Sequence, residues 1–304
     1  MGQTHAFRGS YASPRLAVPL MRADKRRSFA TMDMLTSDEV ESLAQDWSTR
    51  LNMPYDMTQT KAVDRRLAFK YMTPSSTVLD VGGASGEDSG LFAMVGANVT
   101  LLDIEERYLK RGRRLVREFG LDHRFAFVLA SATALPFRNQ AFDIVTCFSV
   151  LDHLPDKQSV QTAVREFAKV VCEKGYVAIT FPNKSFLVAT ALSKLRMALN
   201  KSGDRSRGYW EQRFTVKEFT RYVARSGMRV RAYDYGTPKY VGEGIMAHNL
   251  PFEVRVVRPA LLAFFSVFLS STNFLLRRRG MHLFGPRFGI LCEAVQMERQ
   301  GRNL

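Results

Sequence analysis

T-V-L-D-V-G-G-A-S-G, residues 77–86, runs an apolar strand straight into a glycine-rich turn with a carboxylate at the join. Val78, Leu79 and Val81 read as a buried parallel strand, and Gly82, Gly83 and Gly86 let the backbone turn sharply and lie close against a bound molecule. A dinucleotide fingerprint G-x-G-x-x-G starting at Gly82 requires glycines at 84 and 87, where this chain has Ala84 and Glu87. Glu87 and Asp88 also stand where a helix N-terminus normally receives a pyrophosphate, and two carboxylates repel an anion there. A nucleoside with a cationic amino-acid end suits this acidic loop better, with Asp80 as partner for its ammonium group, directly or through water.

The following segments repeat the strand-and-turn pattern. V-T-L-L-D at 99–103 is a second apolar strand ending in Asp103, 21 residues after Gly82. An acidic side chain at that distance from the turn is placed to accept both hydroxyls of a ribose. Phe125–Leu129 reads as a third strand, followed by A-S-A-T-A-L-P-F at 130–137. F-D-I-V-T-C-F-S-V-L-D-H-L-P-D at 142–156 gives a fourth strand whose C-terminal end carries Asp152 and His153, and E-K-G-Y-V-A-I-T-F-P-N at 173–183 a fifth. Met228–Tyr233 and Ile290–Gln296 read as the last two. The pattern predicts an α/β fold, a doubly wound, mostly parallel seven-stranded sheet.

With these motifs in this order, residues 60–236, and more weakly 288–297, resemble the class I S-adenosylmethionine-dependent methyltransferases of the small-molecule type. The resemblance implies S-adenosyl-L-methionine as cofactor, bound by Asp80, Gly82, Gly83, Ala84, Gly86, Asp103, Ile104, Ser131, Ala132 and Ser149, and no metal. The chain departs from the family pattern at two positions. Ala84 replaces a usual glycine, and Ser131 stands where an acidic residue usually meets the adenine amino group. Ser131 still accepts a hydrogen bond but lacks the charge.

The 304 residues allow one large core with added elements. Residues 1–30 carry Arg8, Arg15, Arg22, Lys25, Arg26 and Arg27 against Asp24, with no apolar segment for export. They read as a basic, disordered leader, with an organellar transit peptide as the alternative. Cys147, Cys172 and Cys292 lack C-x-x-C spacing and read as buried hydrophobes in a reducing compartment. The expected location is the cytoplasm, with peripheral association to a membrane.

Residues 31–236 form the expected catalytic core. Ser37–Leu51 reads as a helix opened by Ser37 or Asp38 that packs over the cofactor as an N-terminal cap. Glu105–Phe119 reads as a helix whose basic outer face (Arg107, Lys110, Arg111, Arg113, Arg114, Arg117) is a solvated surface. Thr215-Val-Lys-Glu218 is a capping box opening a helix through Arg225, stopped by Gly227. Residues 237–287 are an α-helical insertion before the last strand, and 288–304 hold that strand and a tail. Within the insertion, residues 260–276 form an apolar run between Arg255 and Arg258 on one side and Arg277, Arg278 and Arg279 on the other. As a helix it spans ~25 Å, short of the ~30 Å hydrocarbon core. Burial as a substrate lid and binding at a membrane interface through 255–279 both suit it.

Residues 201–304 hold 18 Lys and Arg against 8 Asp and Glu, most of the net charge of +15. A basic surface alone binds phosphates without specificity, and S-V-L-D-H-L-P stands where adenine-modifying enzymes carry N-P-P-[YF]. Nucleic acid therefore ranks below a small hydrophobic or amphiphilic acceptor, lipid- or quinone-like. For an oxygen or nitrogen acceptor His153 is the candidate general base, beyond the fourth strand at the ligand-binding edge. A structural or cofactor-side role is its alternative. His248 is a second candidate base, and Tyr209 and Trp210 candidate acceptor-pocket residues. A non-catalytic relative that binds a partner or membrane through the insertion is the competing reading of the whole chain.

Overall fold

Parallel strands buried on both faces read as continuous apolar runs, and the segments with that pattern build the sheet. The computed structural model describes residues 36–51, 61–183, 214–235 and 287–295. Its strands are β1 (Thr77–Val81), β2 (Asn98–Asp103), β3 (Phe125–Leu129), β4 (Phe142–Phe148), β5 (Val171–Pro182), β6 (Met228–Tyr235) and β7 (Arg287–Ala294). They form the expected seven-stranded sheet, in the order β3-β2-β1-β4-β5-β7-β6. β1 to β5 run parallel, while β7 is antiparallel to both β5 and β6. β1 lies between β2 and β4, so the winding reverses at its C-terminal end. That crevice is where open α/β sheets receive ligands.

β7 begins three residues before the expected Ile290 and ends two before Gln296. Its start is set by pairing of Arg287 with Pro182, which carries Phe288, Ile290 and Cys292 into the core.

The helices are α1 (Ser37–Arg50), α2 (Ala62–Phe69), α3 (Glu87–Met94), α4 (Glu106–Glu118), α5 (Lys157–Val170) and α6 (Val216–Arg225). The cap of α1 is Thr36, not Ser37 or Asp38. The Thr36 hydroxyl accepts the Glu39 N–H at 3.3 Å while the Glu39 carboxylate accepts the Thr36 N–H at 2.8 Å. On α4 all six basic residues are exposed, and Leu109, Gly112 and Val116 face the sheet. At α6 Thr215 accepts the Glu218 N–H at 3.1 Å, and the Glu218 carboxylate turns away to pair with Lys157. Gly227, at φ +76°, ends the helix as expected.

Alternation along the strands divides the core. Leu79, Val81, Val145, Cys147, Val177 and Ile179 pack with Val160, Val164 and Phe167 of α5 and Phe219 and Val223 of α6. Val78, Val99 and Ile144 pack with Trp47, Phe69 and Phe92 of α1, α2 and α3. Cys147 and Cys292 are buried as expected, but Cys172 is half-exposed because it lies at the open start of β5.

The leader, Tyr209, Trp210, His248 and the run 260–276 with its arginines lie outside the described residues. No described helix is long and apolar enough to cross a membrane.

Candidate cofactor site

The turn after β1 extends the sheet before it leaves it. The Gly82 and Gly83 N–H groups both donate to Leu102 O, at 2.7 and 3.3 Å, and Gly86 N–H donates to Gly83 O at 2.8 Å. Gly82 has φ +70°, and a side chain there would run into Val150 beyond β4. Ala84 takes φ +48°, the left-handed region that glycine favours, so the alanine keeps the turn's shape at a cost of about 1 kcal/mol. Its N–H is held by Asp103 Oδ2 at 3.0 Å.

Asp80 lies beneath the turn and is 2% exposed. Its Oδ1 accepts the Thr146 hydroxyl at 2.7 Å, its Oδ2 accepts the Ser89 hydroxyl, and Oδ2 underlies Gly83. Burial pushes its pKa up to about 6, with Asp88 adding to the rise and the two hydroxyls and Lys61 opposing it. Asp80 therefore ties β1 to β4 and α3. An ammonium group reaches it only through the lone pairs these hydroxyls leave.

Asp103 closes β2 and is 7% exposed. Besides the Ala84 bond, its Oδ1 accepts the Glu105 N–H at 2.8 Å. A carboxylate has about four acceptor positions, so two remain for a pair of hydroxyls. Next to it Ile104 is 70% exposed, and Leu129, paired with Asp103 in the sheet register, is 57% exposed. Two bare apolar side chains beside a buried carboxylate suit a planar base joined to a ribose. Ser131 bonds within its own loop, its Oγ 2.8 Å from Thr133 Oγ1 and accepting the Thr133 N–H at 3.2 Å. Ala132 is buried beside it.

At the end of β4 Ser149 adopts φ +55° and donates its N–H to Thr180 O at 3.0 Å. Such strain in a non-glycine residue is held by its surroundings and clusters at sites. His153 lies in the short helical turn Leu151–His153, 45% exposed, with Nε2 3.7 Å from Oδ2 of the buried Asp152. A separate cavity of about 310 Å³ opens at the opposite edge, between Tyr71, Thr73, Asp143, Cys172 and Tyr176, and none of the expected site residues lines it.

Two site features were not anticipated from the sequence. Lys61, just before α2, pairs with Asp88 at 2.7 Å and neutralises one of the two carboxylates at the start of α3. Burial works against its ammonium form, but Asp88, Glu87 and Asp64 outweigh that and raise its pKa. Trp47 of α1 donates its indole N–H to Glu87 O at 2.6 Å. Neither has a local sequence signal, because each partner lies 27 or 40 residues away.

A parallel sheet with a reversed last strand, and a glycine turn with an acidic partner at its switch point, define a nucleoside-binding α/β protein. The family described as Methyltransferase domain matches residues 79–179, from β1 into β5. The ubiquinone biosynthesis O-methyltransferase of Bordetella avium is 33% identical over 177 residues, 57% of this chain and 72% of that protein. The ubiquinone/menaquinone biosynthesis C-methyltransferase UbiE of Shewanella sediminis is 37% identical over 109 residues. This chain spans only 42% of the latter's length. Among solved structures, magnesium protoporphyrin IX methyltransferase from Synechocystis PCC 6803 with bound SAH superposes with a TM-score of 0.53. It is 15% identical, with coverage of 85% of this chain and 98% of that one, a likeness of fold. The chain belongs to the class I S-adenosylmethionine-dependent methyltransferases. S-adenosyl-L-methionine is the cofactor, and the bare Ile104 and Leu129 beside the half-committed Asp103 carboxylate fit its nucleoside.

Proposed function

We propose that this protein transfers a methyl group from S-adenosyl-L-methionine to a small amphiphilic acceptor of quinone-like or lipid-like chemistry. The observation that carries the reading is the Asp103 carboxylate, buried at the end of β2 and braced by the Ala84 and Glu105 N–H groups, with acceptor positions still open. When bound, the cofactor supplies an electrophilic methyl group on a sulfonium. The protein's part is to hold the nucleoside, orient the acceptor in line with that methyl and exclude water.

In this reading the glycine turn and Asp103 fix the nucleoside, with Ile104 against the base and Ser131 and Ala132 at its rim. Ser149, strained at the end of β4, completes the cofactor side. His153 takes the proton of an oxygen or nitrogen acceptor, and its partly exposed ring beside Asp152 supports that role. The names of the Bordetella and Shewanella proteins, which concern quinone biosynthesis, support the acceptor class. The apolar run 260–276 with its flanking arginines, known from sequence alone, is assigned to the acceptor side, as a lid or as contact with a membrane face in the cytoplasm.

The test is incubation of the full chain with isotopically labelled cofactor and lipid extracts, followed by mass spectrometry. Label in an extractable amphiphile is the expected result. Label confined to nucleic acid or protein, in parallel incubations with those substrates, would overturn the acceptor class.

A further inference from the structure

The helix that follows the glycine turn is gripped from outside by a residue forty positions upstream. We propose that Trp47 is a positioning residue for the cofactor turn, an inference that rests on that turn binding S-adenosyl-L-methionine. Its side chain is buried, 3% exposed, and its indole N–H donates to Glu87 O at 2.6 Å. Glu87 is the first residue of α3, directly after Gly86. In an α-helix that carbonyl serves the N–H four residues on, so the indole is a second donor that closing the helix does not require.

The six-membered ring of the indole covers Gly90, where an added Cβ would come within 2.8 Å of Cε2 and still nearer Cζ2. Gly90 in turn donates its N–H to Gly86 O at 2.8 Å. One side chain thus holds a carbonyl and a bare Cα on the first turn of α3, and a hydrogen bond carries that hold to the last glycine of the loop. Phe119 supports the indole edge-on, 4.9 Å between centroids. From the inner side the Ser89 hydroxyl on Asp80 fixes the same turn of helix. The position of α3 against β1, and with it the loop that joins them, is therefore set from both sides, and Trp47 is the outer stop.

A buried tryptophan that only fills space would lower stability when changed and leave the affinity of the folded protein alone. A positioning residue changes affinity. The measurement is calorimetric titration with S-adenosylhomocysteine, with melting curves recorded in parallel. The proteins are the unsubstituted chain as parent, the same parent with Trp47→Phe, and the parent with benzothienylalanine placed at position 47 alone, which keeps the ring shape and removes the N–H. The dissociation constant should rise five- to tenfold in both variants well below their melting temperatures.

As a readout needing no variant to fold, the indole ¹⁵N–¹H signal of Trp47 in the unmodified protein should shift on saturation with S-adenosylhomocysteine. Its hydrogen exchange should slow at least tenfold. A parent that binds, with variants within twofold of it or an indole signal that ignores the ligand, would overturn the proposal while leaving the cofactor assignment standing. A parent that does not bind would remove that assignment and this inference with it.

Discussion

Asp80→Asn should make the protein more stable at neutral pH than the unsubstituted chain, and the gain should vanish in acid. Asp80 is buried with its two oxygens on Thr146 and Ser89, and burial raises its pKa from 3.8 to about 6. A raised carboxyl inverts the usual sign. Below about pH 4 Asp80 is protonated in both folded and unfolded chains and contributes no pH dependence. Between about pH 4 and 6 the unfolded chain releases the proton and the folded chain keeps it, so stability falls as pH rises. Above about pH 7 the full cost is present, about 3 kcal/mol for this displacement.

The carboxamide cannot ionise, and it can still meet both hydroxyls with one acceptor and one donor. Urea unfolding of the two proteins at several pH values from 4 to 8 should show the Asn variant gaining relative to its parent by up to about 3 kcal/mol across that range. A difference that stays flat, or shrinks as pH rises, would show that the hydroxyls and Lys61 equal or outweigh burial. The account of Asp80 as a tolerated cost of tying β1 to β4 and α3 would then be wrong.

Asp103→Ala removes an acceptor of two backbone N–H groups and the proposed ribose contact, and should weaken S-adenosylhomocysteine binding by more than ~1.5 kcal/mol in calorimetry. Unchanged affinity would show that the ribose lies elsewhere. Gly82→Val forces a branched side chain into φ +70° and into Val150, so binding should be lost; a well-folded Gly82→Val protein with normal affinity would refute the turn assignment. Ala84→Gly relieves the left-handed strain at φ +48° and should raise the unfolding free energy by up to about 1 kcal/mol, read in urea. A loss of stability there would mean that the methyl group packs favourably in the turn.

The strand that carries Asp80 and the one that ends in Asp103 can be read directly, because a buried parallel strand and its turn are local patterns, and the spacing between them follows from the crossover. The partners of Asp80 could not. Thr146 lies 66 residues away and meets Asp80 only because β4 joins β1 in the register that pairs the two positions. The start of α1 differs from the sequence expectation for a local reason: Thr36, Ser37 and Asp38 all cap helices well, and Glu39 three residues beyond Thr36 decides among them.

In the sequence alone, Glu87 and Asp88 make the loop a field of two carboxylates. Lys61 changes that charge, and helix α2 that follows it has no strong capping signal, since its N-cap makes no side-chain hydrogen bond. The sequence shows that Ala84 replaces a usual glycine, but only the structure shows that the left-handed conformation is kept and the strain accepted.

We propose that the turn between β1 and α3, with Asp103, holds S-adenosyl-L-methionine. Calorimetric titration of the full chain with S-adenosylhomocysteine at neutral pH tests it most directly, with Asp103→Ala titrated alongside. Saturable binding of one molecule per chain, weakened at least about tenfold by the substitution, is the expected result. No binding at millimolar ligand, by a protein shown to be folded, would contradict it.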